Sequence, residues 1–187
     1  RAYAANSVGI SYGEIKEFTT DPLHVSPLAT ALSYPDATPV CLVETVVAVT
    51  GQGFLLSDAY GNMLYVDAGY GWDRNVKISD KVRVEGEMDT YCGNRKLTFW
   101  NSSVNGTTTV PDMESVDLNN VNLAEFAKAG HAPCKVEVIG TLIYNNGNYK
   151  VEIGNNSIAA LVYPISDMTK FIGKTVLVNG YYLWTSN

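Results

Sequence analysis

Long hydrophobic runs are missing from this 187-residue sequence. No stretch approaches the ~20 consecutive apolar residues that a membrane-crossing helix needs, so no bilayer insertion of the chain is expected. Basic residues are few as well: 13 Lys and Arg stand against 19 Asp and Glu, for a net charge of −6. No region reverses that sign, since residues 36–111 carry six cations against nine acids and residues 112–187 carry five against seven. Lys and Arg supply most of the non-specific affinity for phosphate backbones, so nucleic acid is a disfavoured partner unless a local basic groove forms.

The residues of catalysis are scarce too. There are two histidines, His24 between two prolines and His131 in a connecting segment, and neither has a Cys or Ser in a nucleophile setting. The three cysteines, Cys41, Cys92 and Cys134, form no Cys-x-x-Cys pair and show no metal-ligand spacing. They admit one disulfide with a free thiol, or three free thiols. No Gly-x-Gly-x-x-Gly or Walker-type loop occurs. Asp58, Asp67 and Asp73 fall near turns without EF-hand spacing, and turn capping accounts for them. The chain is therefore expected to have no catalytic residues, no metal and no cofactor, and not to be an enzyme.

What is present is an internal repeat with a period near 93 residues. Cys41-Leu42-Val43-Glu44-Thr45-Val46-Val47 matches Cys134-Lys135-Val136-Glu137-Val138-Ile139-Gly140, and Val82-Arg83-Val84-Glu85-Gly86 matches Val176-Leu177-Val178-Asn179-Gly180. Between these anchors, Phe54-Leu55-Leu56 matches Tyr149-Lys150-Val151, and Met63 to Val66 matches Ile158 to Leu161. Such drift in offset reflects loop-length change between two copies of one domain.

Each copy reads as β. The first has strands over Val40 to Thr50, Phe54 to Ser57, Met63 to Asp67, Lys81 to Met88 and Arg95 to Trp100. Cys92-Gly93 supplies a hairpin turn before the fifth. The second has strands over Lys135 to Tyr144, Tyr149 to Ile153, Ser157 to Tyr163 and Lys174 to Trp184. Its Asn146-Gly147 suits a type I′ turn, which needs positive φ at both central positions. Helix is confined to Asn122–Gly130, with Asn122 as N-cap, and to a weaker equivalent at Pro27 to Leu32. The second copy lacks its own fifth strand. Because an open strand edge invites aggregation, Ala2 to Tyr12 or Thr107 to Val110 is expected to fill the place.

Five strands, an Asp-x-x-Gly turn after the second (Asp58, Gly61) and a Lys-Val-x-Val-x-Gly pattern in the fourth segment (Lys81, Val82, Val84, Gly86) resemble the OB fold. The likeness is to the OB-like modules of nucleic-acid-binding proteins and their relatives in exported bacterial lipoproteins. It covers residues 40–100 best and 133–184 less well. The expected architecture is mainly β: two consecutive OB-like five-stranded barrels with short linking helices, the second completed by a strand from elsewhere in the chain. The divisions are an N-terminal segment (1–35), a first barrel (36–103), a linker with a short helix (104–132) and a second barrel (133–187).

The resemblance implies a binding face on strands two and three, flanked by the loops joining strands one and two and strands four and five. Carried onto this chain, it contains Gln52, Tyr65, Tyr91, Asn94 and Arg95, and in the second copy Tyr144, Asn145, Tyr149 and Tyr163. Loop aromatics such as Tyr60, Tyr70, Trp72 and Tyr91 would also suit a sugar face. Against that, Trp72, Trp100 and Trp184 are expected to seal barrel ends. The glycosylation-like triplets Asn101-Ser102-Ser103, Asn105-Gly106-Thr107 and Asn155-Asn156-Ser157 are taken as loop residues. The composition, rich in Asn, Thr, Ser, Tyr and Gly and poor in Lys, favours an exported chain, periplasmic or cell-surface, and the resemblance to modules of exported lipoproteins implies a lipid anchor upstream of Arg1. The expected function is a non-enzymatic binding or adaptor protein for a protein or glycan partner. A single-stranded nucleic-acid binder and a structural component of a surface assembly are the alternatives.

Overall fold

The computed structural model describes residues 3–15, 22–73, 75–128, 132–154, 156–162 and 167–184. The chain opens with a hairpin of β1 (Tyr3–Asn6) and β2 (Gly9–Tyr12), whose two strands pair with each other. A single helical turn, α1 (Leu28–Ala31), precedes five strands. These are β3 (Pro39–Val49), β4 (Gly53–Ser57), β5 (Met63–Asp67), β6 (Asp80–Tyr91) and β7 (Asn94–Thr107). They close into a barrel in the order β3-β4-β5-β7-β6. The β5–β7 pair is parallel and the other four pairs are antiparallel. That circuit is compatible with an OB-like fold.

The barrel follows from alternation and turn chemistry. In β6 every second residue faces in, placing Val82, Val84 and Met88 in a core with Leu42, Val46, Phe54, Leu56, Leu64, Val66 and Leu97. Cys92 and Gly93 adopt φ of 49° and 77°, the left-handed pair that a two-residue hairpin loop requires. Asp58 caps its own turn: one carboxylate oxygen accepts the Tyr60 and Asn62 amides, at 2.8 and 3.0 Å, and the other accepts the Asn62 side chain at 2.7 Å. The fifth strand outruns its predicted end at Trp100 because β6 offers twelve residues of ladder. Asn101 to Thr107 therefore belong to a strand, not to a loop.

Leu28 and Ala31 of α1 are buried in the barrel core, so the expected first helix exists, shortened to one turn. Val25 forms a parallel bridge with Cys41 just before it. The second half repeats this preface. There, β8 (Val116–Asp117) pairs in parallel with β9 (Cys134–Asn145), and α2 (Leu123–Lys128) follows β8. The Asn122 side chain caps α2, accepting the Ala124 and Glu125 amides at 3.1 and 3.3 Å.

The remaining strands are β10 (Asn148–Ile153), β11 (Asn156–Val162) and β12 (Thr175–Tyr182), with a 3-10 turn, Thr169–Phe171, before the last. They form a sheet in the order β11-β10-β9-β12, which is the path β5-β4-β3-β6 of the barrel. Among the described residues no strand pairs where β7 pairs in the first copy, and they show one closed barrel, not two. The expected fillers lie elsewhere: β1 and β2 pair with each other, and residues 108–110 belong to no strand. The segment that does join, β8, lies on the opposite edge of β9. Beyond it the Asn119 amide takes over the ladder, accepting the Ile139 N–H and donating to the Ile139 carbonyl, both at 2.7 Å. Leu118, Leu123 and Phe126 cover a core of Val136, Val138, Leu142, Val151 and Ile153.

The repeat is real in strand order, but its first anchor shifts. The long first strand passes from its outer to its inner partner at Thr45 in one copy and at Thr141 in the other, 96 residues apart. The buried residues Val40, Leu42 and Val46 therefore correspond to Val136, Val138 and Leu142. Matching Cys41 to Cys134 at an offset of 93 turns each side chain to the wrong face, since an odd slip inverts a strand. The matches for the second and fourth strands, Leu56 with Val151 and Val82 with Val176, hold in the pairing.

Candidate binding surface

The face implied by the resemblance is the outside of β4 and β5. Alternation alone could not orient these strands, and the structure shows why: both are buried on both sides. Phe54, Leu56, Leu64 and Val66 face the barrel interior. Leu55, Met63 and Tyr65, with Val47 of β3, face outward and are still buried. The cover is the chain itself: Val110 and Met113 of the linker, and Tyr181, Leu183 and Trp184 at and beyond the end of β12. The Trp184 ring stands edge-on between two tyrosines, with centroids 5.0 Å from Tyr65 and 5.4 Å from Tyr91. Lys135 of β9 fastens the linker by donating to the Met113 carbonyl at 3.1 Å.

Polar groups frame this aromatic cluster. The Tyr65 hydroxyl shares a 2.8 Å hydrogen bond with the Thr50 hydroxyl. The Lys96 ammonium lies 2.9 Å from Asp67 and 3.3 Å from Asp89, and 5.5 Å from the Tyr91 ring centre. Burial pulls its pKa down, but the Asp67 hydrogen bond and charge, joined by Asp89, outweigh burial and hold it above the ordinary lysine value. Asn94 sits directly across the hairpin from Tyr91. It is 4% exposed, and neither its side-chain oxygen nor its nitrogen has a hydrogen-bond partner among the described residues. An amide buried in this way costs stability until something satisfies it.

The sequence-derived candidates divide between this cluster and other places. Tyr65, Tyr91 and Asn94 belong to it, and Gln52 borders it at the β3–β4 turn, where its carbonyl accepts the Ala68 amide at 2.8 Å. Trp72 does not: it packs on Phe54 at 5.4 Å, against the barrel core, as expected of a sealing residue. Arg95 is also absent from the cluster. It clamps the α1 side of the barrel, donating to the Tyr34 carbonyl, to Asp36 and to the Thr90 hydroxyl. The Tyr144 and Tyr149 rings meet at a tilt on the second sheet, with centroids 4.9 Å apart and planes at 56°, Tyr144 exposed and Tyr149 half-buried on the second core. Tyr163 and His131 lie outside the described residues. Trp184 seals an outer face, not a barrel end, and Trp100 is half-exposed. The missed signal was legible: continuous apolar runs in β4 and β5, against strict alternation in β6, mark strands covered on both faces.

Four cations of the barrel are engaged by carboxylates. Lys81 pairs with Glu44, Arg83 with Glu85, Arg95 with Asp36, and Lys96 with two carboxylates. Among the described residues no group of three His, Cys, Asp or Glu side chains is placed to hold a metal ion. All three cysteines are free thiols; burial raises the pKa of Cys41 and Cys134, and Cys92 is exposed. No described helix is long and apolar enough to cross a membrane. Two open concavities exist. One, of about 600 Å³, is lined by Val116, Val121, Phe126, Ala132, Pro133 and Cys134 with the polar Asn122 and Glu125, and one of about 340 Å³ lies between the β4–β5 turn and residues 112–114.

Compared with protein-family models, with curated proteins and with solved structures, the chain has no match.

Proposed function

We propose that this chain is a non-enzymatic adaptor: a tandem of OB-like modules, exported from the cell, that recognises a protein partner through its second sheet. One observation carries the proposal. The β4–β5 face, where an OB-like barrel would take a ligand, is filled by Trp184, Leu183, Tyr181, Val110 and Met113 of the same chain. A face used to join the two modules is not free for a ligand, so recognition moves to what remains open. On the second sheet, Ile139 and Leu177 stand side by side in register and are 51% and 57% exposed. Apolar pairs left in water on a sheet face fit a protein surface better than a phosphate chain. The exposed Tyr144 beside Tyr149 is the feature that suits a glycan instead.

Single-stranded nucleic acid is the second candidate, on the strength of Tyr65, Tyr91 and Lys96 beneath Trp184. It requires the tail to leave. Titration of labelled oligo-dT and of a glycan array into the purified chain at low and moderate salt distinguishes the three. An adaptor for proteins gives no oligonucleotide binding even at low salt and no glycan hits. Micromolar binding that weakens steeply with salt would reinstate the phosphate chain as ligand. Salt-insensitive glycan hits abolished by Tyr144→Ala would make the chain a lectin-like module.

A further inference from the structure

Three sulfur-bearing side chains border one cavity. The concavity of about 340 Å³ beside the β4–β5 turn is lined by Met63 of β5, Met113 of the linker and Cys134 of β9. Hydrogen bonds and packing fasten these segments to one another. Ser57 stands directly opposite Met63 in the β4–β5 ladder, and such pairs share a sheet face with Cβ atoms about 5 Å apart. The Ser57 hydroxyl lies 3.6 Å from the Met113 sulfur, and Met113 packs on the cluster that contains Met63. Beside Cys134, the Lys135 ammonium donates to the Met113 carbonyl at 3.1 Å, holding the start of β9 against the linker.

The sulfurs keep their donor capacity. Ser57 has one hydroxyl proton, and the Asp58 carbonyl at 3.0 Å holds it better than a thioether at 3.6 Å. Cys134 is a free thiol. A methionine has three rotatable bonds and a polarizable sulfur, so Met63 and Met113 can turn toward a common point without backbone movement. Asp112 and Glu114 flank Met113 and line the same cavity, and the one cation among its lining residues is Lys135, so the charge there favours a positive ligand. Thioether and thiolate donors select soft copper(I). A harder cation needs carboxylate or imidazole ligands, and no group of three His, Cys, Asp or Glu is placed for one among the described residues.

We propose that Met63, Met113 and Cys134 form a binding site for a soft monovalent cation, Cu(I). On binding, the Cys134 thiol proton leaves to solvent and a sulfur–metal bond replaces the S–H bond. Each thioether donates a lone pair, and nothing is oxidised or reduced. The three ligands come from a barrel strand, the linker and the first strand of the second sheet. A bound ion therefore also ties those segments together and stabilises the folded chain by mass action. The site is independent of the adaptor function, and the failure of either leaves the other standing.

The test uses the full chain in a Cys92→Ser background, which removes the exposed thiol. Cu(I) is titrated without oxygen against a chromogenic copper(I) chelator, and Ag(I) serves as a redox-inert probe for NMR. The chain has four methionines, Met63, Met88, Met113 and Met168, and their methyl carbons are labelled. With one equivalent of Ag(I), the Met63 and Met113 methyls are expected to shift. Met88 in the barrel core and Met168 on the second core are expected to stay in place. Met113→Leu, Met63→Leu and Cys134→Ser are each expected to weaken Cu(I) binding about tenfold or more. Leucine conserves the volume of methionine, and circular dichroism of the ion-free variants verifies the fold. Absence of stoichiometric binding once Cys92 is replaced overturns the proposal. So does binding that leaves the Met63 and Met113 methyls unmoved, which marks a thiol acting alone. Affinity unchanged in both leucine variants, or surviving Cys134→Ser, overturns it as well.

Discussion

Cys92 occupies a hairpin turn with positive φ and an exposed thiol, whereas Cys41 is fully buried and Cys134 is partly so. Thiolate formation and access both govern reactivity, and burial suppresses both at Cys41 and Cys134. A thiol reagent applied to the native protein is therefore expected to label Cys92 rapidly, with the other two following only under denaturant. Two fast thiols would mean that the start of β9 opens readily. Glu44 offers a pH-dependent case. Burial raises its pKa, the Lys81 ion pair at 3.5 Å offsets this only in part, and the Asp58 charge adds to the rise. The folded state thus holds this proton more tightly than the unfolded chain does. The group's contribution to stability is complete below the unfolded value of about 4.3 and is lost as pH rises through the higher folded value. Glu44→Gln is accordingly expected to melt at a higher temperature than the native chain at pH 7, with no gain near pH 4. A lower melting temperature at pH 7 would mean that the Lys81 pair outweighs the desolvation.

At the scale of the element, two glycines show where backbone meets backbone. A Cβ at Gly86 would stand 2.2 Å from the Thr98 carbonyl oxygen, and one at Gly140 would stand 2.2 Å from that of Glu152 and 2.6 Å from a Val151 methyl. Strand has to part from strand to admit either. Gly86→Ala and Gly140→Ala should each cost about 1–3 kcal/mol. Hydrogen exchange should show lost protection in the barrel for the first and in the β9–β12 sheet for the second. Equal loss in both halves from one substitution would mean that the halves unfold as one unit. Most elements were visible in the residue pattern: the turns at Asp58, Cys92-Gly93 and Asn146-Gly147, the alternation of β6 and the cap at Asn122. The register of β9 was not, because Cys, Val and Glu recur at 93 residues while burial repeats at 96. Residue identity and inward-facing parity disagree there, and pairing obeys parity.

At the scale of the whole molecule, the covering of β4 and β5 by Trp184 and its neighbours is the decisive contact. Trp184→Ala removes the ring between Tyr65 and Tyr91 and uncovers an apolar face, at an expected cost of about 1–3 kcal/mol for a partly exposed tryptophan. If the barrel face is only a joint, the variant still ignores oligo-dT. If binding appears on removing Trp184, the tail is an internal competitor for a nucleic-acid groove. The residues alone were enough to anticipate a mainly β protein and the strand order that its two halves share. These rest on local chemistry: alternation, turn residues and strand count lie within short windows of the chain. They could not reveal that Tyr65 is covered by Trp184 or that Arg95 clamps the α1 side of the barrel. Each of those depends on side chains brought together from more than fifty residues apart, and only the packed tertiary structure determines which of them meet.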